Sequence, residues 1–268
     1  MTVVVAALYQ FVAVDDWADW RSRWLERAEA LGIRGTLLLA QEGINGTIAG
    51  TREAIDQMLV ALRSHPALTD LSARESIAPA IPFQRLKIKL KREIVTFNQP
   101  VAPTERTGTR VAPTDWNALI ADPEVKLIDT RNQFEVAIGS FQGAIDPETR
   151  TFTEFPDAVE RLLDPQRDRK VAMFCTGGIR CEKASAYLLA RGFEQVYQLE
   201  GGILNYLATV DPAESAWQGE CFVFDERVAL QHGLQPGTHQ MCRACGRPVD
   251  RDLDTCPHCQ SALRVAAS

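Results

Sequence analysis

The sequence predicts an α/β chain of two domains with a small metal-binding tail, and three observations carry that prediction. Residues 1–98 read as strand, helix, two strands, helix, strand. The middle of the chain then changes to apolar strands alternating with helices, and residues 241–268 carry two Cys-x-x-Cys pairs. A length of 268 residues agrees with two domains, which mostly run to ~100–150 residues each. Apolar side chains at 46% and charged ones at 24% exclude a disordered chain, a collagen-like rod and a coiled coil.

In the first segment, "VVVAALYQFV" reads as a strand and "DDWADWRSRWLERAEALG" as a helix. Asp15 or Asp16 caps this helix, Trp17, Trp20, Trp24, Leu25 and Ala28 give it a 3–4 periodicity, and Gly32 stops it. The three tryptophans are assigned to core packing rather than to base stacking. In "GTLLLAQEGINGTIAG" the Asn45-Gly46 pair predicts the turn of a two-stranded hairpin. A second helix starts at Thr51. From Arg85 to Lys91 the residues alternate strictly, with Leu86, Ile88 and Leu90 on one face and Arg85, Lys87, Lys89 and Lys91 on the other. The order β-α-β-β-α-β is that of a ferredoxin-like sandwich, closing near Asn98. Residues 99–113 have no apolar period and are placed as a linker.

Beyond the linker, "VKLIDTR", "RKVAMFC" and "FEQVYQLEGG" supply strands and "EKASAYLLARGF" a helix, the pattern of a mostly parallel sheet covered by helices. Ligands of such sheets sit beyond the carboxyl ends of the strands. Cys175 stands at such an end, followed by Thr176, Gly177, Gly178, Ile179 and Arg180. The two glycines permit a tight arc of N–H groups around the sulfur. With the helix N-terminus and Arg180, these favour a thiolate or a bound anion. Cys181 falls in the first helical turn, where it either packs or assists.

"DTRNQFEVAIGSFQGA", "CTGGIRCEKASAYL" and "LEGGILNYL" resemble a rhodanese domain. The resemblance implies that Cys175 forms a persulfide, that Arg180 closes the active-site loop, and that Asp129 and Arg131 are the Asp and Arg of the early strand end. The cysteine loop taken alone also permits a phosphatase. "EGINGTIAG", "KIKLKREIV", "DPETRTFTEFP", "GGIRCEKAS" and "CFVFDERV", in this order, are similar to the rhodanese-containing bacterial tRNA uridine hydroxylases. That family implies an acylphosphatase-like N-terminal domain and the formation of 5-hydroxyuridine at the wobble position, with molecular oxygen as co-substrate. The expected segments are therefore a ferredoxin-like domain over 1–98, a linker over 99–113, a rhodanese-like domain over 114–218 and an extension over 219–268.

Seven cysteines cannot pair completely within one chain. Cys242, Cys245, Cys256 and Cys259 have the spacing of two zinc knuckles, and four thiolates close a structural site with no open position. Cys221 stands alone and is assigned to packing. The thiols suit a reducing compartment, and the absence of an apolar stretch of ~20 residues predicts a cytoplasmic protein with no membrane span.

Charge is distributed unevenly. The net charge is −6, yet residues 72–110 carry eight basic and three acidic side chains, whereas residues 111–240 carry eleven and twenty. Arg85, Lys87, Lys89, Lys91 and Arg92 are the dense cluster, assigned to contact with the tRNA anticodon arm. This assignment requires that strand and the Cys175 loop to border one groove. Three functions compete: an oxygen-dependent tRNA hydroxylase, a sulfurtransferase carrying sulfane sulfur on Cys175, and a noncatalytic RNA- or partner-binding module. The third leaves the glycine loop without a purpose. No organic cofactor motif is evident, and neither protein partners nor an oligomeric state can be read from the chain. Addition of the Cys175 thiolate or persulfide to the pyrimidine ring, enriching C5 in electrons, is one route to reaction with oxygen.

Overall fold

Val4, Ala6 and Leu8 alternate with Val5, Ala7 and Tyr9 along β1 (Val3–Phe11), so one face of the strand is wholly apolar and the other is mixed. The computed structural model describes residues 2–263; residue 1 and residues 264–268, the outer ends of the first and last expected segments, lie outside the described residues. The apolar face of β1 packs against α1 (Trp17–Ala30) and α2 (Arg52–Arg63), together with Leu37 and Leu39 of β2 (Arg34–Ala40) and Ile44 and Ile48 of β3 (Gly43–Gly50). Trp17 and Trp24 are buried in this core beside His65, as expected. Asp16 occupies the N-cap of α1, but its carboxylate bonds Trp20 Nε1 and His65 instead of capping the helix. Thr51 does cap α2, accepting from Ala54 N–H at 3.2 Å.

The sheet order is β4-β1-β3-β2-β5, with β4 at Ala73–Ala78 and β5 at Leu86–Leu90. This corrects the expected topology in two places. The strand that closes the ferredoxin-like order is β4, antiparallel to β1, and the lysine-rich β5 is a supplementary edge strand running parallel to β2. The β2–β3 turn lies at Gln41–Glu42, not at Asn45-Gly46, which pair with Leu38 and Leu37 inside the ladder. Gly46 answers a steric demand there, since a Cβ would stand 2.0 Å from the Thr36 carbonyl oxygen. On β5, Ile88 is buried as expected, but Leu90, at the strand's end, is 49% exposed.

Both helices of this unit pack on one face of the sheet; on the other, Val3, Val5, Ala49 and Ala78 form a smaller buried cluster with Ile81 and Phe83. Along this second face, Arg74, Ala7, Thr47, Thr36 and Lys87 form one cross-strand row, and Tyr9, Asn45, Leu38 and Lys89 the next.

The second unit is a four-stranded parallel sheet, ordered β6 (Thr109–Val111), β10 (Gln195–Leu199), β9 (Lys170–Phe174), β7 (Val125–Asp129). Residues 109–111, read from the sequence as the end of a linker, thus form its edge strand. One face packs on α5 (Phe155–Leu162) and α6 (Ile179–Ala190), the other on α3 (Pro113–Ile120) and α7 (Gly202–Thr209). Phe97 enters the first of these cores, its ring 4.7 Å from Phe152, so the chain is already packed on the second unit before residue 98.

Two short elements, α4 (Gln133–Val136) and β8 (Gly139–Phe141), follow β7. After α7, β11 (Trp217–Gly219) pairs with β8, and β12 (Cys221–Phe222) pairs with β13 (Ala229–Leu230). The tail carries the pair β14 (His239–Met241) and β15 (Pro248–Asp250). No helix among the described residues is long and apolar enough to cross a membrane.

Candidate active site

Cys175 follows β9 directly, and the loop from Thr176 to Gly178 bends back so that the Gly178 N–H reaches the Cys175 sulfur at 3.1 Å. Gly178, at φ 101°, takes a conformation that residues with a Cβ rarely adopt. The loop's own carbonyls are satisfied by the start of α7, where Ile203 N–H donates to Cys175 and Leu204 N–H to Thr176.

Burial of Cys175 opposes ionisation. The hydrogen bond from Cys181, the Arg180 charge and the backbone N–H groups of Arg180 and Cys181 outweigh it and draw the thiol below its ordinary range. Burial and the adjoining Cys175 sulfur push Cys181 the other way, so it remains a thiol able to donate. Thr130 Oγ1 stands 3.7 Å from its sulfur.

Arg180 is engaged by Glu135 of α4 through a bidentate pair of 2.6 and 2.8 Å. Burial raises the Glu135 carboxyl, but the Arg180 guanidinium holds it below its usual range. Glu135 offsets part of the loop's positive charge and fixes the Arg180 side chain through that bidentate pair.

Asp129 and Arg131 are wholly buried and pair with each other at 2.6 Å. Arg131 also donates to the carbonyls of Glu135 and Gly139, and Ser140 Oγ donates to Asp129. Neither touches the open side of the Cys175 loop. They brace α4 and β8 behind it, where losing one partner of a buried pair costs ~3–5 kcal/mol.

The open side of the loop faces the second face of the N-terminal sheet across a groove of about 1370 Å³. Cys175 to Arg180 form one wall, and Tyr9, Phe11, Thr36, Leu38, Asn45 and Thr47 the other. Lys91 lines the groove directly. Lys87 and Lys89 share the groove-facing side of the sheet through their register with Thr36 and Leu38. Arg85 and Arg92 lie at the two ends of β5, both exposed.

Three residues at this junction, Tyr9, Glu182 and Lys183, were given no role by the linear sequence. Tyr9 Oη donates to Glu182 at 3.1 Å and stands against Gly178, where an added Cβ would come within 2.9 Å of it. Burial, and then Glu182, raise the Tyr9 phenol far above its ordinary range, so it stays protonated. Glu182, on α6, also accepts from Arg110 of β6, from Thr107 and from Gln198. Its neighbour Lys183 is buried between Glu42 and Glu93. Separations of up to 173 residues explain why no local motif announces these contacts.

In the tail, the sulfurs of Cys242, Cys245, Cys256 and Cys259 all lie within 4.8 Å of one another. Two sulfur–sulfur separations, 3.8 Å for Cys242–Cys259 and 3.7 Å for Cys245–Cys256, match the edge of ~3.8 Å expected of a tetrahedron with Zn–S bonds of ~2.3 Å. The cluster can hold a metal ion and fits zinc. Cys221 is buried against β13, a packing position.

The comparisons agree with these units. A family model described as "UPF0176 acylphosphatase like domain" matches residues 3–94, and one described as "Rhodanese-like domain" matches residues 112–209. Curated relatives bearing the name "tRNA uridine(34) hydroxylase" align along the whole chain. One from Synechococcus elongatus is 55% identical over 100% of this chain and 99% of its own. One from Synechocystis sp. is 52% identical over 100% and 99%, and one from Picosynechococcus sp. is 53% identical over 97% and 91%.

Proposed function

The chain belongs to the tRNA uridine(34) hydroxylase family, and from that premise we propose that it converts the wobble uridine of tRNA to 5-hydroxyuridine with Cys175 as the reacting group. The observation that carries the assignment to this loop is the groove itself. Its walls are the thiolate-favouring loop and a lysine-edged sheet face. It exceeds the ~300–1,000 Å³ of a small-molecule site. A general sulfurtransferase serving a small nucleophile has no use for that second wall.

In this reading the anticodon loop enters single-stranded, so the uridine reaches Cys175 without duplex melting. The sulfur of Cys175, as thiolate or persulfide, adds to the pyrimidine ring and enriches C5 in electrons. C5 then reacts with O2: one oxygen atom is retained as the hydroxyl, and the other leaves as water after two electrons arrive from an external donor. Loss of the C5 proton and expulsion of the sulfur restore the ring and the loop. Arg180 and the loop N–H groups stabilise the sulfur anion at both ends of this cycle. Cys242, Cys245, Cys256 and Cys259 would hold Zn²⁺ and so fasten the tail, and four thiolate ligands would leave no open position for oxygen. A tRNA substrate supports a cytoplasmic location.

Nucleoside mass spectrometry of tRNA from a deletion strain tests the proposal. Wobble 5-hydroxyuridine should be lost, return with the wild-type gene, and gain one heavy oxygen when the cells grow under ¹⁸O2. Unchanged 5-hydroxyuridine in the deletion strain defeats the assignment. Oxygen drawn from water defeats the O2 step alone.

A further inference from the structure

The groove has a third border that the reaction above does not use, the loop between β12 and β13, at whose tip Phe224 stands. Phe224 is 65% exposed and lines the groove, and it is the one aromatic among the strongly exposed large apolar side chains of the described residues. A singly exposed phenylalanine is ordinary on a protein surface; what sets Phe224 apart is its place on the groove and the bracing that holds it there.

This tip is not a loose loop. Val223 N–H bonds to Val228, and Val228 N–H to Asp225. Arg227 and Asp225 form a buried fork of 2.6 and 2.9 Å. The same arginine donates to Ser76 Oγ of β4, and Glu226 N–H donates to Pro82, so the tip is fastened to the N-terminal unit as well. Beneath it, Phe224 packs edge-to-face on Phe222 at 5.1 Å and 84°. Phe222 in turn meets Phe134 at 5.1 Å and 88°. Phe134 is the neighbour of Glu135, the partner of Arg180. A line of three rings therefore runs from the bracing of the Cys175 loop to the rim of the groove and fixes the last ring while leaving it bare.

We propose that Phe224 is a stacking platform for a nucleobase of the anticodon loop flanking the target uridine; this rests on the tRNA reading above. A nucleobase fits the chemistry better than an apolar peptide does. The groove that Phe224 borders carries Arg74 on β4, the strand to which the tip is fastened, and Lys91 at its far edge, which suit a phosphate backbone, and a planar ring satisfies an exposed π-face without requiring a deep apolar pocket. Stacking here would hold the loop splayed, so that the neighbouring uridine is presented to Cys175. Phe224 acts as a positioning residue, and its effect falls on binding of the loop before chemistry.

The test uses the full-length protein and a synthetic anticodon stem-loop with 2-aminopurine next to the target uridine. F224A should weaken binding by about 5- to 100-fold, abolish the quenching of 2-aminopurine, and raise KM more than it lowers kcat. The slope of log Kd against log salt should not change, because no phosphate contact is lost. F224W should restore affinity and quenching, and F224L, apolar but without a ring, should not. A stem-loop with cytidine in place of the target uridine should still show Phe224-dependent quenching. The proposal is overturned by wild-type affinity and quenching in F224A, by full recovery in F224L, by failure of the wild-type protein to bind the stem-loop, or by a change in oligomeric state on sedimentation without a change in RNA affinity. Phe224-dependent quenching in a wild-type protein that makes no 5-hydroxyuridine would uphold the platform and defeat the hydroxylase reading, so the two fail separately.

Discussion

Two neighbouring thiols, Cys175 and Cys181, are both wholly buried yet are shifted in opposite directions. At the first, burial is outweighed by the Cys181 thiol, the Arg180 charge and the Arg180 and Cys181 N–H groups, which draw it down, whereas at the second burial and the Cys175 sulfur outweigh Thr130 and the same Arg180 charge. A cysteine held below the ordinary thiol value of ~8.5 carries more of its anion at neutral pH than a free thiol does. Lowering of the folded pKa shifts reactivity down the pH scale, so iodoacetamide should alkylate Cys175 with a half-maximal rate at a pH below that of a free thiol, read by peptide mass spectrometry. C181A removes one donor to the sulfur and should move that midpoint upward while leaving tRNA hydroxylation partly intact. C175A should abolish hydroxylation with far-UV dichroism and tRNA affinity unchanged. Equal loss in both variants would make Cys181 a second reacting group, and full activity in C175A would remove Cys175 from the chemistry. Cys175 and Arg180 were legible because a glycine loop after an apolar strand is a local pattern. Glu135, Tyr9 and Glu182 were not, since each acquires its partner only through tertiary contact.

Secondary elements were legible wherever burial imposes a period. The alternation of β1, the amphipathic α2 and the apolar runs of β7 and β9 all appear at the expected places. β4 escaped because "ARESIA" is an edge strand whose Ile77 is 54% exposed, so burial never imposed an alternation on it. Asn45-Gly46 misled for a related reason: glycine serves close backbone approach in a ladder as well as turns.

At the tail, the element that matters is the joint between β14 and the body. Glu220 accepts from Thr238 N–H, Gln231 and His239. Burial opposes its ionisation, but these donors hold its carboxyl down at about 2. Its stabilising contribution is therefore complete above its unfolded value of ~4.3 and fades as pH falls toward the folded one. E220Q should lower the melting temperature and speed cleavage near residue 238 at pH 7, with a difference from wild type that shrinks between pH 5 and 3. Metal content should stay near one Zn²⁺ per chain in E220Q and fall in C256A. A constant difference across that pH range would deny the carboxylate its part in the joint, and zinc retained in C256A would reject the four-thiolate site.

At the scale of the whole molecule, a chain of net charge −6 must present a polyanion with a local field opposite to its mean. Lys183 between Glu42 and Glu93, and Glu182 with Tyr9 and Arg110, fasten the two units so that β5 edges one side of the groove and the Cys175 loop lines the other. The segregation of charge was legible in the sequence, but the apposition was not, because it depends on two neighbouring residues of α6 whose partners lie in distant segments. Lys87, Lys89 and Lys91 alternate along one strand, and the first two stand level with Thr36 and Leu38 on the groove wall. If they meet phosphates of the anticodon stem, each neutralised contact releases about one counterion on binding. Replacing all three by glutamine should therefore weaken tRNA binding and make the salt slope shallower by up to about three units. The rate of Cys175 alkylation should stay near wild type, because the lysines act on the substrate and not on the thiol. Filter binding from 50 to 300 mM salt, run beside the alkylation assay, separates the cases. Unchanged affinity and slope would return these lysines to the protection of an exposed edge, and a slower alkylation would mean that the substitutions had disturbed the fastening of the two units.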